Sequence, residues 1–264
     1  MPDRARIDRI AAYFDGLQRT RANLPPLPPE VQPRDFDEAY AVADVLQQRW
    51  AETRGPIAGY KVAITTKVMQ ELMGINEPCA GAIFRRFLHA SPATVAMSDY
   101  LHPAVECEIG MRLGADLLDR GRAHDLDSVA AAVESCHAAI EIIEDQNAEY
   151  KKVNAMGLAA NNAWNGGAVL GPAVTDWRRL DLRALGGSMS IAGVEQGRGK
   201  GADVLGHPLN SLAWLANNRI ARGRPLRKGM AVLTGSIVST KWPKAGETVT
   251  VTVERLGEAS AKFV

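Results

Sequence analysis

Carboxylates embedded in apolar, strand-like runs constrain this chain most. Residues 103–110 read PAVECEIG, in which apolar and acidic side chains alternate. In a strand, alternate side chains share a face, so Val105, Cys107 and Ile109 point one way and Glu106, Glu108 and the bare Gly110 point the other. Neighbouring carboxylates repel, and they persist where the face is wet or where a cation lies between them. On this spacing alone, a solvated edge strand is the commoner explanation. Glu141 shifts that balance. It stands in CHAAIEIIEDQ, a short and strongly apolar run, on one face with Ala139 and Ile143. A carboxylate buried there is paired, protonated or bound to a metal; a salt bridge or a surface covered in an oligomer would also serve. Glu106, Glu108 and Glu141 together can form a hard-oxygen site suited to Mg²⁺ or Mn²⁺, with water and substrate completing six ligands. Glu144 projects to the opposite face and ranks below Glu141. Lys61, in GYKVA, is costly in an apolar stretch unless its ammonium meets a carboxylate or a substrate anion. Beside such a cluster it would act as an electrophile or proton donor.

Composition narrows the class. Lys and Arg number 31 against 30 Asp and Glu, a formal charge of +1. No basic excess exists to neutralise phosphates, which argues against a nucleic-acid protein. No run approaches the roughly 18–20 apolar residues of a membrane span. The opening MPDRARIDRI alternates charge and does not read as a secretory leader. Cys79, Cys107 and Cys136 are far apart, with no C-x-x-C pair, which predicts a reducing, cytoplasmic setting without a disulfide framework. The scattered histidines show no H-E-x-x-H, so a metal would be held by oxygen.

The chain reads as an N-terminal helical region, residues 1–54, followed by a mixed α and β body, residues 55–264. Ile7, Ile10, Ala11, Phe14 and Leu17 recur at helical spacing, and LPPLPPEVQP (24–33) is an extended connector. Asp35 or Asp37 caps a second helix running to about Glu52. Strands are expected over 55–65, 104–113, 139–145, 166–172 and 230–236, with Val249, Val251 and Val253 in a final hairpin turning near Gly257. Helices are expected over 66–74 with Gly74 at the C-terminal cap, from Asp127 to about His137, and from Pro208 to Gly223, with His207 as a structural residue at the start of the last. The glycines of GRGKG (197–201) match neither a P-loop nor a dinucleotide fingerprint, and a mobile loop or substrate flap is expected there.

Six ordered segments, GYKVAITTKVMQELMGINEP (59–78), PAVECEIG (103–110), AIEII (139–143), NNAWNGGAVLG (161–171), VLGHPLNSLAWLAN (204–217) and MAVLTGS followed by KAGETV (244–249), together resemble the fumarylacetoacetate hydrolase superfamily, in its 2-keto-4-pentenoate hydratase/2-oxo-3-hexenedioate decarboxylase branch. The resemblance runs from about residue 35 to the C-terminus. It implies an α+β fold, a mixed β-roll of the fumarylacetoacetase C-terminal type with a helical N-terminal region. It implies metal ligands at Glu106, Glu108 and Glu141, a catalytic Lys61, substrate contacts at Thr66, Asn162, Trp164 and Ser236, a need for Mg²⁺ or Mn²⁺, and a homo-oligomer.

The activity implied is hydration of a 2-hydroxy-2,4-dienoate, in equilibrium with its 2-keto form, to a 4-hydroxy-2-oxo acid during aromatic-compound catabolism. The runner-up is decarboxylation of 2-oxo-3-hexenedioate, whose second carboxylate could meet Arg85, Arg86 or Lys200. An acylpyruvate-type C–C hydrolase ranks third, since no H-x-x-E stands near the N-terminal body. A non-catalytic subunit paired with a related hydratase or decarboxylase is a fourth reading, disfavoured because all three glutamates and Lys61 are present. Two departures matter. Members often carry Asp-Asn-Ala-Ser where this chain has Asn161-Asn162-Ala163-Trp164. The first change removes a charge, and Trp164 reshapes a pocket.

Overall fold

The computed structural model describes residues 3–264. In chain order its elements are α1 (Arg4–Thr20), α2 (Phe36–Arg54), β1 (Ile57–Ala63), α3 (Lys67–Leu72), β2 (Cys79–Phe84), β3 (Leu88–Ala90), β4 (Ala93–Val95), β5 (Pro103–Leu113), α4 (Leu126–Ala132), β6 (Val133–Glu144), α5 (Ala155–Ala160), β7 (Asn165–Leu170), β8 (Gly186–Ile191), β9 (Val194–Lys200), α6 (Pro208–Ala221), β10 (Ala231–Lys241), β11 (Thr248–Val253) and β12 (Gly257–Phe263).

The strands form a seven-stranded sheet, ordered β2-β1-β10-β5-β6-β7-β3, and a five-stranded sheet, ordered β4-β12-β11-β8-β9. Both are mixed. β1 runs parallel to β10, β3 to β7 and β4 to β12, while β5 is antiparallel to both β10 and β6. The α+β, mixed-sheet expectation therefore holds, with helices α1 and α2 as the N-terminal region. Both helices bury one apolar stripe, Ile7, Ile10, Ala11 and Phe14 on α1 and Ala39, Val42, Ala43 and Leu46 on α2. Asp35 caps α2 by accepting from the Glu38 amide at 2.7 Å. Trp50 packs edge-on against Phe84 of β2, which seats α2 on the large sheet.

The apolar face of β5 looks toward the smaller sheet, where the Cys107 thiol donates to the Ser188 carbonyl of β8. The opposite face carries Glu106 and Glu108. Among the described residues, no helix is long and apolar enough to cross a membrane.

Three expectations need correction. The helix placed from Asp127 to His137 is only Leu126–Ala132, capped by Asp125 in a reciprocal box with Ser128. The strand expected from residue 139 already begins at Val133, because the eleven-residue β5 offers a ladder partner as far as Leu113. Last, GRGKG is no flap: it is the end of β9, paired to β8. Its glycines answer to packing, since a Cβ on Gly199 would stand 1.7 Å from the Ile237 carbonyl oxygen. Gly74 follows α3 with φ 64°, His207 caps α6 by accepting from the Leu209 amide, and Gly257 turns the last hairpin.

Candidate active site

Register brings the carboxylates together. Glu106 of β5 stands directly opposite Glu141 of β6, and Ser236 of β10 opposite Glu108. One oxygen from each of Glu106, Glu108 and Glu141 lies within 4.8 Å of the others. The Lys61 ammonium of β1 reaches Glu141 Oε1 at 3.1 Å. Lys61 is 2 % exposed, and Glu108 and Glu141 are fully buried. The wet edge strand is thus excluded, and the cluster is a charged centre on the inner strands of the sheet.

The cluster is incompletely satisfied. Glu106 accepts from the Thr240 hydroxyl, Glu108 Oε2 from the Gly235 amide at 2.7 Å, and Glu141 Oε1 from Asn165 at 3.0 Å. Glu108 Oε1 and Glu141 Oε2 are buried without any partner. Burial, and then the neighbouring Glu141, push the Glu106 carboxyl up to about 7. Burial with Glu141 and Glu106 drives Glu108 well above the ordinary range. Burial alone would lower Lys61, but the carboxylates of Glu141, Glu106 and Glu108 outweigh it and hold the ammonium above its ordinary value. Ionised together, the three carboxylates would outnumber the one ammonium, and the two orphaned oxygens are free to ligate a cation. A divalent metal with oxygen preference fits this set.

A cavity of about 450 Å³ opens onto the cluster. Lys61, Glu106, Thr66, Trp164 and Ser236 line it, together with Thr240 and Tyr150. Glu108 and Glu141 lie beneath its floor. Thr66 also caps α3 by accepting from the Met69 amide. Asn162 departs from the expectation of substrate contact. It is fully buried, bonds the amide and carbonyl of Ala82, and accepts from Gln47. It holds a turn in which Asn162, Ala163 and Trp164 all take positive φ, at 54°, 47° and 56°. Such a run is strained for residues with a Cβ and persists only where the surroundings enforce it. The bonds of Asn162 to Ala82 and Gln47 hold it, and Gly81 makes the room, since a Cβ there would lie 2.1 Å from the Asn162 carbonyl oxygen. Gly81→Ala is expected to lower unfolding free energy by about 1–3 kcal/mol, read from urea titration. Unchanged stability would show that the turn yields freely.

Asn161 bonds Gln146 and does not line the cavity. Arg85, Arg86 and Lys200, considered for a second substrate carboxylate, do not line it either, and Arg86 pairs with Asp99 at the surface. Glu144 accepts from the Leu101, His102 and Gln146 amides, a structural duty.

Asp145, close to Glu141 in the sequence, carries no role there that its spacing reveals. It is 1 % exposed and ties two distant segments to its own loop, bonding His102 Nδ1 at 2.6 Å and Trp242 Nε1 at 3.0 Å as well as the nearby Tyr150 hydroxyl at 3.0 Å and Asn147 amide at 2.9 Å. No local spacing announces that convergence. Met69 and Met73 of the α3 segment were also missed, although a methionine pair at helical spacing beside Lys61 was the available signal.

Comparison with known proteins agrees with this geometry. Residues 57–264 match the C-terminal domain of fumarylacetoacetate (FAA) hydrolases. A 2-keto-4-pentenoate hydratase of Paraburkholderia xenovorans (strain LB400) is 31% identical over 100% of this chain and 96% of its own length. A 4-oxalocrotonate decarboxylase of Pseudomonas putida is 29% identical over 99% of this chain and 98% of its own. Among solved structures, 4-oxalocrotonate decarboxylase from Pseudomonas putida G7, complexed with magnesium and adipate, superposes with a TM-score of 0.89 at 28% identity, covering 100% of this chain and 99% of that one. By its full-length relatives and by the profile of its body, this chain belongs to the fumarylacetoacetate hydrolase family.

Proposed function

We propose that this protein is a divalent-metal-dependent hydratase that converts a 2-hydroxy-2,4-dienoate into a 4-hydroxy-2-oxo acid. One observation carries the reading: Glu106, Glu108 and Glu141 converge beside Lys61 at the floor of a cavity large enough for a small acid. Relatives named 2-keto-4-pentenoate hydratase, similar over the whole chain, support it.

Glu106, Glu108 and Glu141 would hold Mg²⁺ or Mn²⁺, and the orphaned oxygens of Glu108 and Glu141 speak for that role. When bound, the metal would polarise the 2-oxo group and offset negative charge developing on it. Lys61 keeps a proton at Nζ inside a buried site and brings positive charge to the substrate oxygen. Ketonisation moves the proton of the 2-hydroxyl to C5 and leaves a C3–C4 double bond conjugated to the ketone. Water then adds its hydroxyl at C4 and a proton at C3. The hydroxyls of Thr66, Ser236 and Thr240 border the cavity and can orient the acid and the water.

A second reading, decarboxylation of a 2-oxo-enedioate, is favoured by the similarity to 4-oxalocrotonate decarboxylases. Mass spectrometry of products decides. The protein, incubated with 2-hydroxydienoates and 2-oxo-enedioates with and without Mg²⁺, is expected to add one water to a dienoate only when metal is present. Loss of carbon dioxide instead would move the assignment to a decarboxylase. Neither product would overturn both.

A further inference from the structure

We propose that the cavity holds, beyond Lys61, a subsite walled by aromatic and thioether groups and without any basic side chain, so that the substrate is a monocarboxylate with an apolar distal substituent rather than a dicarboxylate. This deepens the hydratase reading and rests on it.

Charge is the first argument. Among the described residues, Lys61 is the only basic side chain lining the cavity, and Glu141 already engages it. The other ionisable acids at the wall are Glu106 and Asp203. Three ionised glutamates and one ammonium are balanced by one divalent cation, and the 2-oxo acid end of the substrate belongs at that centre. A second carboxylate would meet walls that offer no counter-charge and two like charges, which repel it.

Shape is the second. Met69, Met73, Tyr150, Leu158, Trp164 and Val238 supply apolar wall from four separate segments. Tyr150 meets Trp164 edge-to-face, with centroids 5.4 Å apart at 74°. Both rings are held in place. The Tyr150 hydroxyl is tied to buried Asp145, and Trp164 is set by the positive-φ turn over Gly81. A preformed aromatic corner loses little freedom on binding. The methionines opposite can conform to varied tails. The volume of about 450 Å³ lies within the roughly 300–1,000 Å³ of pockets that enclose drug-sized ligands, more than a five-carbon acid fills.

The test is calorimetry on the full chain saturated with Mg²⁺, using three saturated 2-oxo acids that cannot be hydrated: pyruvate, 2-oxohexanoate and 2-oxohexanedioate. The last two differ only by a terminal methyl against a terminal carboxylate. We expect 2-oxohexanoate to bind at least about tenfold tighter than 2-oxohexanedioate, and tighter than pyruvate by up to about fourfold per added carbon. Trp164→Ala should shrink the 2-oxohexanoate-to-pyruvate ratio, and Met73→Lys should raise affinity for 2-oxohexanedioate. Equal or tighter binding of the diacid by the unmodified protein would overturn the subsite while leaving the metal-centred reading intact. Failure of pyruvate itself to bind would instead bring down that reading, and this proposal with it.

Discussion

Lys61→Met is expected to remove most of the activity and a large part of the stability. Lys61 is the counter-ion of Glu141 at 3.1 Å and stands in the field of Glu106 and Glu108. Methionine has a similar length and fills the space, so no cavity contribution enters. What remains is buried negative charge with its only ammonium gone. Removing one partner of a buried ion pair costs about 3–5 kcal/mol, and uptake of protons by the glutamates recovers part of it. Turnover should fall by about 10²–10⁴, the usual worth of a positioned proton donor. Lys61→Arg separates the two effects. It restores the charge but replaces a compact ammonium by a planar fork, so stability should return in part while turnover stays low. Urea unfolding and product formation from a hydroxydienoate are the measurements. A methionine variant with normal stability and turnover would make Lys61 a spectator.

The second large effect is a reversal of pH dependence by metal. In the metal-free protein Glu106 is raised from 4.5 to about 7, and Glu108 is also held well above its ordinary value, by burial and then by Glu141 and Glu106. Across that window the native state holds more protons than the unfolded chain. Stability is therefore highest below the ordinary carboxylate pKa and falls as pH rises through about 7. A divalent cation binds the native cluster in competition with those protons. It should contribute about 2.7 kcal/mol at a hundredfold excess over its Kd, chiefly above neutral pH. Melting temperatures with chelator should thus decline from about pH 5 to about pH 8, whereas those with Mn²⁺ should rise. Glu108→Gln should raise metal-free stability at the alkaline end and erase the Mn²⁺ response. Identical profiles with and without metal, in a protein that retains all three glutamates, would exclude a metal centre.

The carboxylate cluster was legible because period-two alternation in PAVECEIG and a lone glutamate in AIEII carry direct physical meaning. Which strands would become neighbours was not. Glu106 faces Glu141 across two strands joined by residues 114–132, which include α4, and Lys61 arrives by a parallel pairing of β1 with β10, a partner about 170 residues away along the chain. Helix and strand were confused over 133–138, where VESCHA suits either state until β5 supplies a ladder. The β8–β9 hairpin hid behind its glycines. Alternate burial of Met189 and Ile191 was the clue, and crowding against Ile237 was the reason for Gly199. Asn162 looked like a substrate contact from its place in a motif, and the structure spends its amide on Ala82 and Gln47. Asp145 lies at the other extreme: His102 and Trp242 reach it from segments that share no local pattern with it.

The cross-strand opposition of Glu106 and Glu141 also bears on how such chains can change over generations. A strand slipped by one residue turns every side chain to the other face. A single-residue insertion or deletion within β5 or β6 would therefore carry a glutamate away from its fellows even if the strands still paired. The exposed stretch at 121–123, within the 114–132 connection between these two strands, carries no such penalty. Length variation in working relatives should accordingly gather in that connection and spare the two strands it links.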